Sequence, residues 1–115
     1  MRKIELEIIN TIRDQRDAVA LREASRMEKT LANTRSVTRL RGDGKVLTTV
    51  YLHENVIAQG DAFNWWFKMC GWPPPTTKSR INAIANSFGR AGVITKNGKH
   101  YSGDKEVDAF DWFNS

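Results

Sequence analysis

The sequence predicts an α+β domain: an N-terminal helix or helix pair, an antiparallel β-meander, a second helix and a C-terminal β-hairpin. Three observations predict it. Apolar residues recur at helical spacing between Ile4 and Leu31, the period drops to two from Arg35 as turn signals accumulate, and a second helical stripe from Ile81 to Phe88 follows a triple proline. Helices gathered on one face of a mostly antiparallel sheet are the layered arrangement that suits this order. A chain of 115 residues, 40% of them hydrophobic, fills one core but not two, so residues 1–115 are read as one domain.

In the first segment, Ile4, Ile8 and Ile12 share one helical face, and Ala20, Ala24, Met27 and Leu31 share another. Asp14-Gln15-Arg16-Asp17 interrupts the stripe, which leaves either one long helix or two with a joint between Arg13 and Asp17. The second half, polar around a thin stripe of small residues, needs a partner surface to be stable. Asp43-Gly44 and Asn97-Gly98 read as two-residue hairpin turns, because both residue types tolerate positive φ. Glu54-Asn55 is a weaker turn. It would pair His53 with Val56, Leu52 with Ile57 and Tyr51 with Ala58, placing Val50, Leu52 and Ile57 on one face and Tyr51, His53, Val56 and Ala58 on the other.

Phe63 to Met69 alternates as a half-buried strand does, with Phe63, Trp65, Phe67 and Met69 inward and Asn64, Trp66 and Lys68 outward. After Pro73 to Pro75, Thr76 or Thr77 caps a helix that buries Ile81, Ile84, Ala85 and Phe88, and Gly89 stops it. A hairpin from Val93 to Tyr101 leads into residues 104–115, an acidic aromatic tail. Phe110, Trp112 and Phe113 in that tail either dock a partner or fold back as a last strand.

The net charge of +5 is uneven. Residues 104–115 hold four acids against Lys105, and without them 17 basic and 9 acidic residues leave a body of +8. Such a body favours polyanions, nucleic acid above all, through counterion release and steering. The candidate contacts are Arg35, Arg39, Arg41 and Lys45 on the first hairpin, Thr77, Lys78 and Arg80 at the second helix start, and Lys96 and Lys99 at the last turn. A helix N-terminus with hydroxyls and a lysine is a reasonable phosphate site. Trp66 and Lys68, with Tyr51 and His53 on the outer face, would form a stacking platform for unpaired bases. If the N-terminal helix covers this face, Trp66 is core, and that reading is preferred.

Other chemistry finds little support. Cys70 has no disulfide partner and is expected to be a small buried hydrophobe. His53 and His100 are too far apart in sequence for a zinc-ligand spacing, no spacing supplies a nucleophile and base, and neither an enzyme, a metal nor a cofactor is expected. No apolar run reaches the roughly 20 residues that cross a bilayer, and Met1 to Glu5 lacks the apolar stretch of a secretory signal, so a cytoplasmic protein is expected.

Val50-Tyr51-Leu52-His53-Glu54-Asn55-Val56-Ile57-Ala58, then Gly71-Trp72, then Thr76-Thr77-Lys78-Ser79-Arg80-Ile81-Asn82-Ala83 resemble a family of small tailed-bacteriophage proteins without an assigned activity. The likeness runs from Asn33 to Tyr101, with Met1 to Arg13 also similar. Glu54 stands where that family has Gly, and Asp14 to Leu31 replaces a shorter link, which makes residues 14–32 an inserted helix. The resemblance implies a phage origin and action in the cytoplasm of an infected bacterium.

Two functions are therefore expected. The first is a non-enzymatic nucleic-acid-binding accessory protein, whose log-log salt slope would be near −4.5 on duplex DNA if about five phosphates are neutralised. The alternative is an inhibitor of a host bacterial protein complex (RNA polymerase, nuclease or CRISPR effector), using Ala20, Ala24, Met27 and Leu31 or the tail residues Phe110 and Trp112 as contacts. The same small-residue stripe would otherwise serve a homodimer.

Overall fold

The computed structural model describes residues 2–61, 64–71 and 75–114. The first helix, α1 (Lys3–Ala20), opens where the Glu5 carboxylate accepts the Arg2 amide at 3.2 Å, answering a donor that no helical carbonyl reaches. It buries Ile8, Ile9, Ile12 and Val19, and beside them the polar Glu5 and Gln15. It ends because Arg22 adopts φ +62°: the Arg22 amide bonds to Val19 O and the Glu23 amide to Ala18 O, the paired closing bonds of a left-handed C-terminal cap. The Arg22 guanidinium adds bonds to the Val19 and Ala20 carbonyls.

The helix expected over residues 14–32 is thereby corrected. Residues 14–20 continue α1, whereas Arg26–Leu31 is a strand, β1, so Ala20, Ala24, Met27 and Leu31 form no helical stripe. Every residue of β1 is in register with β2 (Thr34–Leu40), from Arg26 opposite Arg39 to Leu31 opposite Thr34. Ladder hydrogen bonds and sheet packing outweigh the modest helix preference of Met, Glu, Lys and Leu. A two-residue turn with Ala32 at φ +54° joins the strands.

The meander continues through β3 (Val46–Leu52), β4 (Asn55–Gly60) and β5 (Trp65–Phe67), and closes with β9 (Phe113–Asn114), giving the order β1-β2-β3-β4-β5-β9. Two turns differ from expectation. Gly42 to Gly44 form a three-residue loop, with Gly44 at φ +84° and its amide on Arg41 O, instead of a two-residue Asp43-Gly44 turn. The next turn is His53-Glu54, both at positive φ, so Leu52 pairs with Asn55 and Tyr51 with Val56. A bulge then sets Val50, rather than Tyr51, opposite Ala58, so that Ile57 and Ala58, neighbours in sequence, both bury and Ala58 leaves the outer face expected for it.

The second helix is α2 (Pro75–Ser87). Proline suits a first helical position, since its missing N–H has no helical partner to lose. Thr76 and Thr77 therefore lie inside the first turn and do not cap it. Ile81, Ile84 and Ala85 are buried, and Gly89 at φ +72° ends the helix, with the Arg90 amide on Ala85 O at 2.7 Å.

Both helices lie on one face of the sheet, where Ile8, Ile12, Ile81 and Ile84 meet Val50, Leu52, Ile57, Ala58 and Phe67. A separate three-stranded sheet, β6 (Ile94–Lys96), β7 (Lys99–Ser102) and β8 (Lys105–Val107), follows. Its first turn is Asn97-Gly98 with both φ positive, as expected. Residues 104–115 are thus no free tail, because β8 and β9 lie within them and Phe113 pairs with Phe67.

The alternation of Trp65, Phe67 and Met69 inward holds, and Phe63 lies outside the described residues. Trp66 is not core: α1 covers the opposite face, and the ring is 46% exposed. Cys70 is not core either. It sits at the surface at φ +60°, its thiol donating to Val56 O at 3.2 Å.

Candidate nucleic-acid interface

Because side chains alternate along a strand and directly opposed residues share a face, the register assigns the side of the sheet that the helices leave open. One row across it reads Glu28, Val37, Thr49, Gln59, Trp66 and Asn114. A second reads Thr30, Arg35, Tyr51 and Val56, and a third Arg26, Arg39 and Leu47. The helices pack on the opposite face; on these rows Val37 is buried, whereas Arg26, Glu28, Thr30, Arg39 and Trp66 are exposed. From β2 to β5 is three strand spacings, about 14 Å, room for two or three stacked or extended nucleotides.

The charges on this face are organised. Arg26 donates to Glu28 at 2.8 Å, Glu28 accepts Arg35 at 3.1 Å, and Arg35 also reaches Glu54 at 3.2 Å. The bonds from Arg26 and Arg35 hold the Glu28 carboxyl below the usual glutamate range. The Arg35 guanidinium lies 4.1 Å from the Tyr51 ring centroid, so cation and ring stack as one flat unit. Arg39, exposed, stands directly opposite Arg26. Like charges opposed across strands repel, and the Glu28 carboxylate on Arg26 answers part of that repulsion. Lys68, two residues after Trp66, holds its ammonium 5.9 Å from the Trp112 ring.

The other sequence candidates separate from this face. Arg41 pairs with Asp43 at 3.3 Å, and Lys45 follows it on the β2–β3 turn, at the end of the sheet. There a cleft of about 370 Å³ includes Arg16, Arg22 and Lys45 in its lining. Thr77 and Arg80 are each 5% exposed and unavailable to a phosphate. Arg80 instead donates to Glu5 at 2.9 Å and to Thr34 Oγ1 at 3.3 Å, while Ser79 also donates to Glu5. Burial alone pushes the Glu5 carboxyl up, but these bonds and the Arg2 amide outweigh it and hold the group below its ordinary range. Lys78 donates to Thr95 Oγ1 at 2.8 Å, and Lys96 and Lys99 oppose each other on the β6–β7 hairpin, so these three belong to α2 and the small sheet. The phosphate site expected at the start of α2 is therefore corrected: its threonine and arginine are interior.

Arg26 joins the open face without a place among the sequence candidates, because the helix expected over residues 14–32 includes it and β1 does not follow from its residue types. The one available signal was the β-type alternation of Glu28, Thr30 and their neighbours, which helix-forming residue types obscure.

Over residues 1–115 the chain matches the Kyanoviridae Gp96 protein family, and it belongs to that family. No curated protein and no solved structure matches it. The expected phage origin holds.

Proposed function

We propose that this member of a phage protein family is a non-enzymatic nucleic-acid-binding accessory protein of the infected bacterium's cytoplasm, taking single-stranded nucleic acid across the open face of its six-stranded sheet. The observation that carries the reading is an exposed Trp66 on the same sheet face as Arg26, Arg39 and the Arg35–Tyr51 stack. A sheet face offers stacking platforms at fixed spacing and cations that follow a backbone, which suits unpaired bases better than a duplex.

Titration of the protein with a fluorescent oligothymidylate at several salt concentrations tests this. If Arg26, Arg35 and Arg39 neutralise about three phosphates, the log-log slope on a single strand is near −2. Trp66→Ala should weaken binding by about 5- to 100-fold, the worth of one stacked base, and Arg39→Ala should make the slope shallower by about 0.7. Lys96→Ala and Thr77→Ser should change neither. An affinity indifferent to salt, or to Trp66, overturns the reading.

Inhibition of a host protein complex is the second reading, and β1 supports it. All but the last residue of this six-residue edge strand is exposed, and its outer backbone groups could pair with a partner's strand.

A further inference from the structure

At the β9 edge of the sheet lies a cleft of about 360 Å³ whose lining differs from the rest of the molecule. Trp66 and Trp112 form its aromatic walls, 46% and 40% exposed, and Glu106, Asp108 and Asp111 bring carboxylates to it. These three acids outnumber Lys105 in the lining and the Lys68 ammonium beside Trp112, on a chain of net charge +5.

The cleft is held in shape. Phe113 and Asn114 pair with Phe67 and Trp66, the Gly71 amide bonds to Ala109 O at 2.8 Å, and Asp108 Oδ1 accepts the Phe110 amide at 2.7 Å. Two large rings kept open to water beside three carboxylates favour a flat or compact cation, which gains ring-face and ionic attraction together. The molecule already shows half of this chemistry, since Lys68 places its ammonium over the Trp112 ring. A phosphate backbone would meet the three carboxylates and be repelled.

We infer that this cleft docks an arginine- or lysine-bearing segment of a partner protein, the cation lying between Trp66 and Trp112 and its charge answered by Glu106, Asp108 and Asp111. The occupant follows from charge complementarity. The inference goes beyond nucleic-acid binding and does not depend on it, although the two ligands would compete at Trp66.

The test is a fluorescence-anisotropy titration of the full chain with a labelled, end-blocked hexa-arginine peptide, with hexaglutamate as control, and in parallel with oligothymidylate. Of the two peptides, hexa-arginine only is expected to bind, saturably and one to one. It should weaken about tenfold or more in the E106Q/D108N/D111N variant, where the carboxamide oxygen introduced by D108N still accepts the Phe110 amide, and about fivefold in Trp112→Leu. Oligothymidylate affinity should be unchanged or higher in the triple variant. Circular dichroism confirms that each variant is folded, and a variant that unfolds is replaced by the single Asp111→Asn exchange, with a weakening of about twofold or more expected. The inference is overturned if hexa-arginine does not bind, if it binds the folded variants as tightly as the parent, or if the triple variant loses oligothymidylate instead. Self-association of the parent at the same concentrations, abolished in the triple variant, would assign the cleft to a second copy and also overturn it.

Discussion

Glu5→Gln isolates the ion pair that joins the two helices. Arg80 and Glu5 side chains are 6% and 3% exposed, their atoms 2.9 Å apart. Glutamine keeps the shape but has one acceptor oxygen where Glu5 uses two, Oε1 for the Arg2 amide and Oε2 for Ser79 and Arg80, so one set of bonds disappears together with the countercharge of a desolvated guanidinium. Breaking one side of such a pair costs about 3–5 kcal/mol, because the remaining ion is buried without compensation. Against a typical urea dependence of about 1.5 kcal/mol per M, the unfolding midpoint should fall by about 2–3 M. Replacing both residues, Glu5→Met with Arg80→Met, should recover most of that loss, since a well-packed apolar pair avoids desolvating two charges.

Urea unfolding followed by circular dichroism measures all three variants. The folded-state pKa of Glu5 lies below its ordinary value of 4.5. Its contribution is therefore complete above about pH 4.5 and disappears as the pH falls through the lower, folded-state value. Glu5→Gln should lose most at neutral pH and converge towards the parent in acid. A loss under about 1 kcal/mol at pH 7, or equal losses for single and double replacements, would refute the reasoning. Arg80→Met, in its folded fraction, should bind oligothymidylate as the parent does, since this arginine is interior.

Three further outcomes are expected. Gln15→Leu should cost about 1–3 kcal/mol in urea unfolding, because the Gln15 amide accepts from Ser36 and Thr38 hydroxyls at 2.7 and 3.1 Å and a buried donor would be orphaned. Gly92→Ala should lower the thermal midpoint by several degrees: Gly92 has φ +77°, and a Cβ there would strike the Asn82 side chain that holds the Val93 backbone on both its N–H and C=O. Glu54→Gly should raise stability by about 1 kcal/mol, since Glu54 sits at φ +68° and its surface pairing with Arg35 is worth little. A lower urea midpoint for that variant would contradict it.

The sequence by itself determined the α+β class, the meander, the second helix and the last hairpin, because each rests on a local period or a local turn. Ile81, Ile84 and Ala85 bury as their spacing requires, Asn97-Gly98 turns as its residue types allow, and Trp65, Phe67 and Met69 alternate inward. The +8 of the body was likewise legible, being a sum that needs no coordinates.

Tertiary structure alone decided the rest. Arg26–Leu31 is a strand because β2 offers it a ladder, and a left-handed Arg22, which no glycine announced, frees the chain to reach it. Which sheet face the helices cover decided that Trp66 is exposed and that Arg80, basic by sequence, is paired with Glu5. Spacing along a chain records which residues share a face. Burial depends on what another segment lays against that face, and that contact forms only between residues distant in sequence.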